Sequence, residues 1–322
     1  MPLPDLADIE DAARLVYAAM PPTPQYAWPL LDDALGTTAW IKHENHAPTG
    51  AFKVRGGLVY LDRLLRRTPH LGGVIAATRG NHGQSVAFAA RRHGIRATIV
   101  VPHGNSSEKN AAMRALGAEL IEHGSEFQES REHALALAAR DGLHMVPSYH
   151  PDLVAGVATG WMEFFRACPD LDLVLVPIGQ GSGFCGAAAA RAALGLSVRL
   201  VGVVSAQAPA YQLSFRARAA IPAPVTTALA DGLACRVPDP TSLAVVLEQA
   251  DDVLAVSDEE IGDAMRLYYR CTHNLAEGAG AAALAAALQL RAQGRLGGRK
   301  IGLPLSGANV DASLFAPILA SR

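Results

Sequence analysis

Short runs of β-branched residues alternate with alanine-rich segments along most of the chain, and this alternation constrains the fold more than any other feature. It predicts strands followed by helices, the order that is typical of parallel sheets covered by helices. A first series has predicted strands at 73–77, 97–101, 119–122 and 144–147, with helices at 84–92 and 110–115. A second has strands at 173–178, 200–204, 253–256 and 300–305, with helices at 183–193, 258–270 and 279–292. A further helix is predicted within 5–20, followed by an extended arm.

Length and composition indicate a globular protein. A chain of 322 residues, half of them hydrophobic and 18% charged, is long enough for two domains. Its 28 basic and 30 acidic residues leave a formal charge of -2, so neither nucleic acid nor an anionic membrane is expected as a partner. The start of the chain is acidic where a signal peptide is basic, and no apolar run approaches the roughly 18 residues of a membrane span. We therefore expect a cytoplasmic protein.

The cysteines give no sign of a disulfide framework or a zinc site. They are widely spaced and form no C-x-x-C pair. We expect them to be buried small apolar residues. They are Cys168, Cys185, Cys235 and Cys271.

The segment HENHAPTGAFKVRGG, residues 43–57, places Lys53 after a Thr-Gly-Ala-Phe turn and at the start of a predicted helix. A lysine that forms a Schiff base must lose its proton, and burial, apolar neighbours and the positive end of a helix dipole favour that loss. Lys53, with Phe52 beside it, meets these conditions. On this segment alone, a solvated surface lysine is the alternative.

A second segment, ATRGNHGQSVAFAARRHG at residues 77–94, predicts a strand end, a tight Gly-Asn-His-Gly turn and an amphipathic helix. Backbone amides at such a helix start bind carboxylates, and Asn81 and His82 add side-chain donors. An ordinary turn with capping residues has the same pattern.

A third segment, VPIGQGSGFCGAAAA at residues 176–190, predicts a strand, a glycine-rich turn and a helix of small residues. Glycines allow successive amides to close around a phosphate at the helix start. The turn matches the dinucleotide fingerprint only weakly, because its glycines fall at every second position, and it lacks the lysine of a P-loop. The phosphate of some other ligand fits better.

A fourth segment, LPLSGANVD at residues 303–311, ends a predicted strand at Ser306 and turns at Gly307. A serine at the carboxyl end of a parallel strand points into the crevice where ligands of α/β sheets bind. A turn or helix-capping serine is the alternative reading.

Taken in this order, the four segments resemble the pyridoxal-phosphate enzymes of fold type II, the tryptophan synthase β-like fold. Within that group the chain is most similar to the threonine/serine dehydratase (ammonia-lyase) family, from about residue 23 to residue 311. The resemblance implies a two-domain α/β protein with parallel-type sheets. A large cofactor domain would comprise 1–46 and 146–322, and a small domain, 47–145, would carry the Gly-Asn-His turn. A homodimer is implied as well.

The resemblance also assigns roles to the residues of these segments. Lys53 would hold pyridoxal 5'-phosphate as a Schiff base, Phe52 would pack on the ring, and Asn81 would bond its phenolic oxygen. Ser306 would face the pyridine nitrogen. The substrate carboxylate would be received by Thr78, Asn81 and His82, and the cofactor phosphate by the amides of Gly179, Gln180, Gly181, Ser182 and Gly183.

The implied reaction converts a β-hydroxy-α-amino acid, L-threonine or L-serine first, to a 2-oxo acid and ammonia. A neutral serine at the pyridine nitrogen leaves the ring a moderate electron sink, which favours expulsion of the β-substituent. Serine racemases carry a serine where this chain has Arg79, so racemisation is disfavoured. Relatives that bind a divalent cation have a glutamate ahead of the Ala-Asp-Gly segment, whereas this chain offers only Asp231, so no metal is predicted. Control by isoleucine is not expected either.

Several alternatives stay open. An aryl substrate such as phenylserine would need apolar room, to which Phe184, Tyr211 or Leu233 would contribute. A β-carboxylate, as in 3-hydroxyaspartate, would need a cation, for which Arg79 is the candidate. β-Replacement and threonine synthase chemistry are the other enzymatic readings, and a non-catalytic pyridoxal-phosphate-binding protein is the reading from another class.

Overall fold

A computed structural model describes residues 3–321, which form ten strands and thirteen α-helices. The strands are β1 (Gln25–Ala27), β2 (Ala39–His43), β3 (Val74–Ala77), β4 (Ala97–Val101), β5 (Glu119–Glu122), β6 (His144–Met145), β7 (Leu173–Pro177), β8 (Arg199–Ser205), β9 (Asp252–Val256) and β10 (Ile301–Leu305). The helices are α1 (Leu6–Tyr17), α2 (Pro29–Leu35), α3 (Lys53–Arg67), α4 (Asn81–Arg92), α5 (Ser107–Ala115), α6 (Phe127–Asp141), α7 (Pro151–Ala167), α8 (Ser182–Ala193), α9 (Ala210–Ala217), α10 (Pro240–Gln249), α11 (Asp258–Thr272), α12 (Gly278–Ala292) and α13 (Ala312–Ala320).

The strands form two sheets. A six-stranded sheet has the order β1-β2-β10-β7-β8-β9 and is parallel except for β1, which pairs antiparallel with β2. A four-stranded parallel sheet has the order β5-β4-β3-β6 and uses only strands between residues 74 and 145. In a parallel sheet every carboxyl end lies at the same edge, so the turns after β2, β3, β7 and β10 become neighbours at the cleft between the sheets.

All eight strands predicted from the sequence are present. The strand expected at 144–147 is shorter, and the helix expected from residue 84 begins at Asn81 instead, so the Gly-Asn-His turn supplies its first residues. The helix expected from residue 110 begins at Ser107, because the Ser106 hydroxyl caps it by accepting from the Lys109 amide at 3.1 Å. The predicted extended arm contains the additional strands β1 and β2.

The six-stranded sheet is covered on both faces. Helices α7 and α8 pack on one face, and the alanine-rich α12 is buried on the other. Small residues let α12 approach closely: a Cβ at Gly280 would lie 2.2 Å from the carbonyl oxygen of Gly307. The predicted burial of the cysteines is correct for Cys168, Cys185 and Cys235 but wrong for Cys271, which is half-buried because its part of α11 faces the surface.

A buried ion cluster fixes the start of α3. The side chain of Arg55, two residues after Lys53, is 0% exposed and pairs with Glu44 at 2.8 Å and Glu163 at 2.7 Å. Burial alone would lower the pKa of Arg55, but the two carboxylates outweigh it and raise the pKa above its ordinary value. Lys42 pairs with Glu163 at 2.7 Å, so two cations and two carboxylates balance within the core. The cluster ties α3 to β2 and α7.

None of the helices described for residues 3–321 combines the length and hydropathy that a bilayer-spanning segment requires.

Arg55→Met should lower the free energy of unfolding by about 3–5 kcal/mol, because it leaves two buried carboxylates short of a partner. Arg63→Met is the matched control, since Arg63 pairs with Asp152 and Asp11 but is 20% exposed, and its loss should cost about 1 kcal/mol. Urea denaturation of both variants measures the difference. Equal losses would show that the buried cluster has no special weight.

Candidate active site

A cleft lies at the carboxyl ends of β7 and β10. It brings together every residue that the sequence assigned to the cofactor, namely Phe52, Lys53, Asn81, Gly179, Gln180, Gly181, Ser182, Gly183 and Ser306. An adjoining hollow shares Lys53 and Asn81 with it and is lined by Thr78, Arg79 and His82. The predicted cofactor and carboxylate residues therefore meet at Lys53.

Lys53 is the first residue of α3, and the end of β10 holds it in place. The amide of Phe52 donates to the carbonyl oxygen of Ser306 at 3.0 Å, and Ala51 forms a β-bridge with Gly307. The Nζ atom of Lys53 lies 4.7 Å from the centroid of the Phe52 ring. Burial lowers the pKa of Lys53 to about 8, although the charge of Glu277 acts in the opposite direction. The amine is therefore available as a neutral nucleophile not far above neutral pH.

The glycine-rich turn joins β7 to α8. Gly179 is needed there because a Cβ would lie 2.3 Å from the carbonyl oxygen of Gly232. Gly181 has a φ of 97°, and a Cβ on it would lie 2.4 Å from Ser242 Cβ. The first turn of α8 holds no acidic residue, and Ser182 and Gly183 at its start line the cleft. The amides and the dipole at this helix start therefore suit an anion.

The Gly-Asn-His turn is organised by Thr78. Its hydroxyl oxygen accepts from the amides of Gly80 at 3.0 Å and Gly83 at 3.3 Å. The amides of Asn81 and His82 are the first two of α4 and have no hydrogen-bond acceptor among residues 3–321. They are therefore free to bind a carboxylate, assisted by the helix dipole.

The imidazole of His82 is neutral near pH 7. Burial is the main cause that lowers its pKa to about 4, and the charge of Lys53 adds to the effect. Its Nε2 atom is buried and has no hydrogen-bond partner among the described residues. Such an unpaired polar atom, beside free amides and a lysine amine, is consistent with a ligand in the cleft.

Ser306 directly follows β10, is 8% exposed and donates to the carbonyl oxygen of Ala279 at 3.4 Å. Its hydroxyl lines the cleft, and no acidic side chain takes its place at this position. A hydroxyl can donate or accept by rotating about its C–O bond, so it suits a neutral ring nitrogen.

The sequence did not predict the roles of three residues at or beside the cleft, namely Glu277, Asn309 and Lys109. Asn81 Nδ2 donates to Glu277 at 2.6 Å, and Asn309 Nδ2 donates to Asn81 Oδ1 at 2.8 Å. Lys109 is 6% exposed and pairs with Asp231 at 2.6 Å and with Glu277 at 3.5 Å. A signal existed for Lys109, because the sequence contains only four lysines, Lys42, Lys53, Lys109 and Lys300.

The side chains proposed to give room for an aryl substrate are placed differently. Phe184 and Tyr211 are 0% exposed in the core, and the Tyr211 hydroxyl donates to the carbonyl oxygen of Gln180 at 3.2 Å. Both belong to the hydrophobic core on the α7 and α8 face of the six-stranded sheet. Of the three side chains proposed for an aryl substrate, only Leu233 lines the cleft.

Arg79 lines the hollow, is exposed and forms no ion pair with the described residues. Asp231, the acidic residue of the Ala-Asp-Gly segment, pairs with Lys109. Within residues 3–321, no group of three or more His, Cys, Asp or Glu side chains is arranged to hold a metal ion.

These features together fit pyridoxal 5'-phosphate. A lysine amine of lowered pKa suits its aldehyde, and the turn before α8, which lines the same cleft, suits its phosphate. The glycine positions are consistent with a close approach, because Gly179 and Gly181 have no room for side chains.

Comparisons with known proteins agree with this fit. A family profile described as "Pyridoxal-phosphate dependent enzyme" matches residues 16–307, and the chain therefore belongs to that family. The chain is 33% identical to the L-threonine ammonia-lyase of Thermotoga maritima, over 98% of this chain and 78% of the relative. It is 31% identical to the L-threo-3-hydroxyaspartate ammonia-lyase of Saccharomyces cerevisiae, over 100% and 98%.

The fold is similar to that of a solved structure, the processed form of threonine deaminase isoform 2 from Solanum lycopersicum. That comparison gives a TM-score of 0.89 at 28% identity and covers 99% of this chain and 95% of the other. The predicted fold type II class and the predicted cofactor are thereby confirmed.

Lys53→Met should stabilise the cofactor-free protein at about pH 7 by roughly 1–3 kcal/mol, since it removes the cost of burying a charge. Because the folded-state pKa of Lys53 is about 8 and its ordinary value is 10.5, the folded protein binds fewer protons between these values. Stability of the wild type therefore rises with pH between these two values. The difference in stability between Lys53→Met and the wild type becomes smaller over the same range.

Melting temperatures of the wild type and Lys53→Met at about pH 7 and about pH 9.5 measure this effect. Lys300→Met, at an exposed lysine, is the control and should show no such pH dependence. A stability difference that stays constant with pH would contradict the lowered pKa.

Proposed function

We propose that this protein is a pyridoxal-phosphate-dependent ammonia-lyase that converts a β-hydroxy-α-amino acid, L-threonine or L-serine first, to a 2-oxo acid and ammonia. The observation that carries the proposal is a lysine amine of lowered pKa lying between a phosphate-type turn and two free amides suited to a carboxylate. The two ammonia-lyase relatives support the reaction class.

Each residue has a task in this reaction. When bound, the cofactor supplies an electron sink for the charge that develops at the substrate's Cα. The amides of Asn81 and His82 hold the α-carboxylate at the start of α4, which fixes the Cα–H bond relative to Lys53. Lys53, as a neutral amine, takes the Cα proton.

Ser306 decides which way the reaction proceeds after proton loss. A hydroxyl cannot keep a ring nitrogen protonated as a carboxylate does, so negative charge at Cα is stabilised only moderately. Loss of the β-hydroxyl is then favoured over return of the proton to Cα. The enamine that is released hydrolyses in water to the oxo acid and ammonia.

We also propose that residues 1–46 and 146–322 form a large domain and 47–145 a small one; the termini of these ranges lie outside the described residues 3–321. Closing the cleft between them would exclude water from the substrate. A homodimer and a location in the cytoplasm are proposed from the family resemblance.

A second candidate substrate is L-threo-3-hydroxyaspartate. Arg79 favours it, because this exposed arginine, which pairs with no acidic side chain of residues 3–321, lines the hollow beside the carboxylate turn. The yeast relative, named for this substrate, is similar over almost its whole length. Phenylserine has less support, since Phe184 and Tyr211 do not line the cleft.

The Schiff-base assignment is tested by borohydride reduction of the purified protein followed by peptide mapping. The wild type should be yellow and carry its reduced adduct on Lys53, and Lys53→Ala should lose both colour and oxo-acid release. Lys109→Met keeps Lys53 and should retain the adduct. An adduct on another lysine in the wild type would refute the assignment.

The substrate order is tested by specificity constants for threonine, serine, 3-hydroxyaspartate and phenylserine, measured as oxo-acid release. Arg79→Met should lower the constant for 3-hydroxyaspartate about tenfold or more, because a carboxylate loses its charged hydrogen bond, and leave threonine almost unchanged. Arg79→Lys should keep part of the activity. Equal losses for both substrates would mean that Arg79 serves the α-carboxylate or the fold.

A further inference from the structure

Glu277 is a buried carboxylate in the wall of the cleft that the proposed reaction does not use. It is 3% exposed, and its Oε1 accepts from Asn81 Nδ2 at 2.6 Å. Its Oε2 has no hydrogen-bond partner among the described residues, and Lys109 Nζ lies 3.5 Å away. A buried carboxylate that is only partly satisfied is costly, so its position calls for a physical explanation.

The surrounding backbone is shaped to admit this carboxylate. A Cβ on Gly307 would lie 2.3 Å from Glu277 Oε1, so the position next to Ser306 has room only for glycine. The amide of Glu277 donates to the carbonyl oxygen of Gly307 at 3.1 Å. The Ser-Gly-Ala-Asn segment, residues 306–309, thus holds Glu277 in place through Gly307.

The asparagine of the same segment acts on Asn81 from the other side. Asn309 Nδ2 donates to Asn81 Oδ1 at 2.8 Å and to the carbonyl oxygen of Thr49 at 2.8 Å. A carboxylate can only accept, so Asn81 must turn its NH2 group to Glu277 and its oxygen to Asn309. The orientation of this amide is therefore set from both ends, and one N–H of Asn81 is left for a ligand.

The charge of Glu277 is shared among groups from several elements. Four groups face Glu277: Lys109 from α5, Lys53 from α3, the side-chain amide of Asn81 from α4, and Asp231 from the turn before α10. Burial is the main cause that raises the pKa of Glu277, Asp231 adds to it, and Lys109 opposes it. Lys109 thus serves as the counter-charge of two carboxylates at once.

We propose that Glu277 is a positioning residue that, together with Asn309, aims the free N–H of Asn81 at the phenolic oxygen of the cofactor, with Lys109 as its counter-charge. The proposal rests on the cofactor contact proposed above for Asn81. It adds that the negative charge of Glu277, which lines the same cleft as Lys53, stabilises the protonated form of the Lys53 linkage.

The experiment compares Glu277→Gln with Glu277→Ala in the holoenzyme. The first keeps an oxygen that accepts from Asn81 but removes the charge, whereas the second removes both. Glu248→Gln, which removes an exposed charge that forms no ion pair with the described residues, is the control. The readouts are the dissociation constant for pyridoxal phosphate and the midpoint of the pH titration of the visible absorption band.

Glu277→Ala should weaken cofactor binding about tenfold or more, and Glu277→Gln should restore affinity to within about threefold of the wild type. Both variants should lower the midpoint of the pH titration by about one unit or more, because a negative charge near a cation has been removed. Asn309→Ala should weaken binding as Glu277→Ala does but leave the midpoint nearly in place.

Unchanged affinity in Glu277→Ala, or a midpoint in Glu277→Gln equal to that of the wild type, would overturn the proposal. If Glu277→Ala fails to fold, as judged by near-ultraviolet circular dichroism, the midpoint of Glu277→Gln decides alone. Neither readout depends on turnover, so a yellow protein that releases no oxo acid would refute the proposed function and leave this proposal standing.

Discussion

The site depends on one junction, at which the chain entering α3 is pinned to the end of β10. The Phe52 amide bonds the Ser306 carbonyl, and the next residue, Lys53, then points its amine into the cleft. On the other side, Arg55 is locked between Glu44 and Glu163. Because both neighbours are fixed, the lysine amine keeps its place although burial of its charge is unfavourable.

Close approach of backbones gives this cleft its shape. Gly179 lies against Gly232, Gly280 against Gly307, and Gly307 against the carboxylate of Glu277. A side chain at any of these positions would push apart two elements that each carry a site residue. Gly179 of the glycine-rich turn is therefore also a packing position, while Gly280 and Gly307 bring α12 and the end of β10 together at the cofactor cleft.

The sequence predicted the strands and the turns well, because glycine, proline and the alternation of residue types act locally. It missed β2. Lys42 of this strand is buried and pairs with Glu163 on α7, a contact that the local sequence does not reveal. It also missed the partners of Asn81, since Glu277 and Asn309 are 196 and 228 residues away along the chain. Pairs of this kind are created by the fold and leave no local pattern. The buried places of Phe184 and Tyr211 likewise follow from helix packing, which residue type alone does not reveal.

The start of α5 connects the cleft wall to the small sheet. Glu108 accepts from the amide of Ala312 at 2.8 Å, Ser106 bonds Asp311, and Lys109 reaches Asp231 and Glu277. Separating the two sheets would break these contacts together and leave Glu277 without its cation. Burial raises the pKa of Glu277, so its charged state depends on the Lys109 contact that the start of α5 provides. By linkage, a ligand that favours the charged carboxylate also favours the arrangement in which Lys109 reaches Glu277.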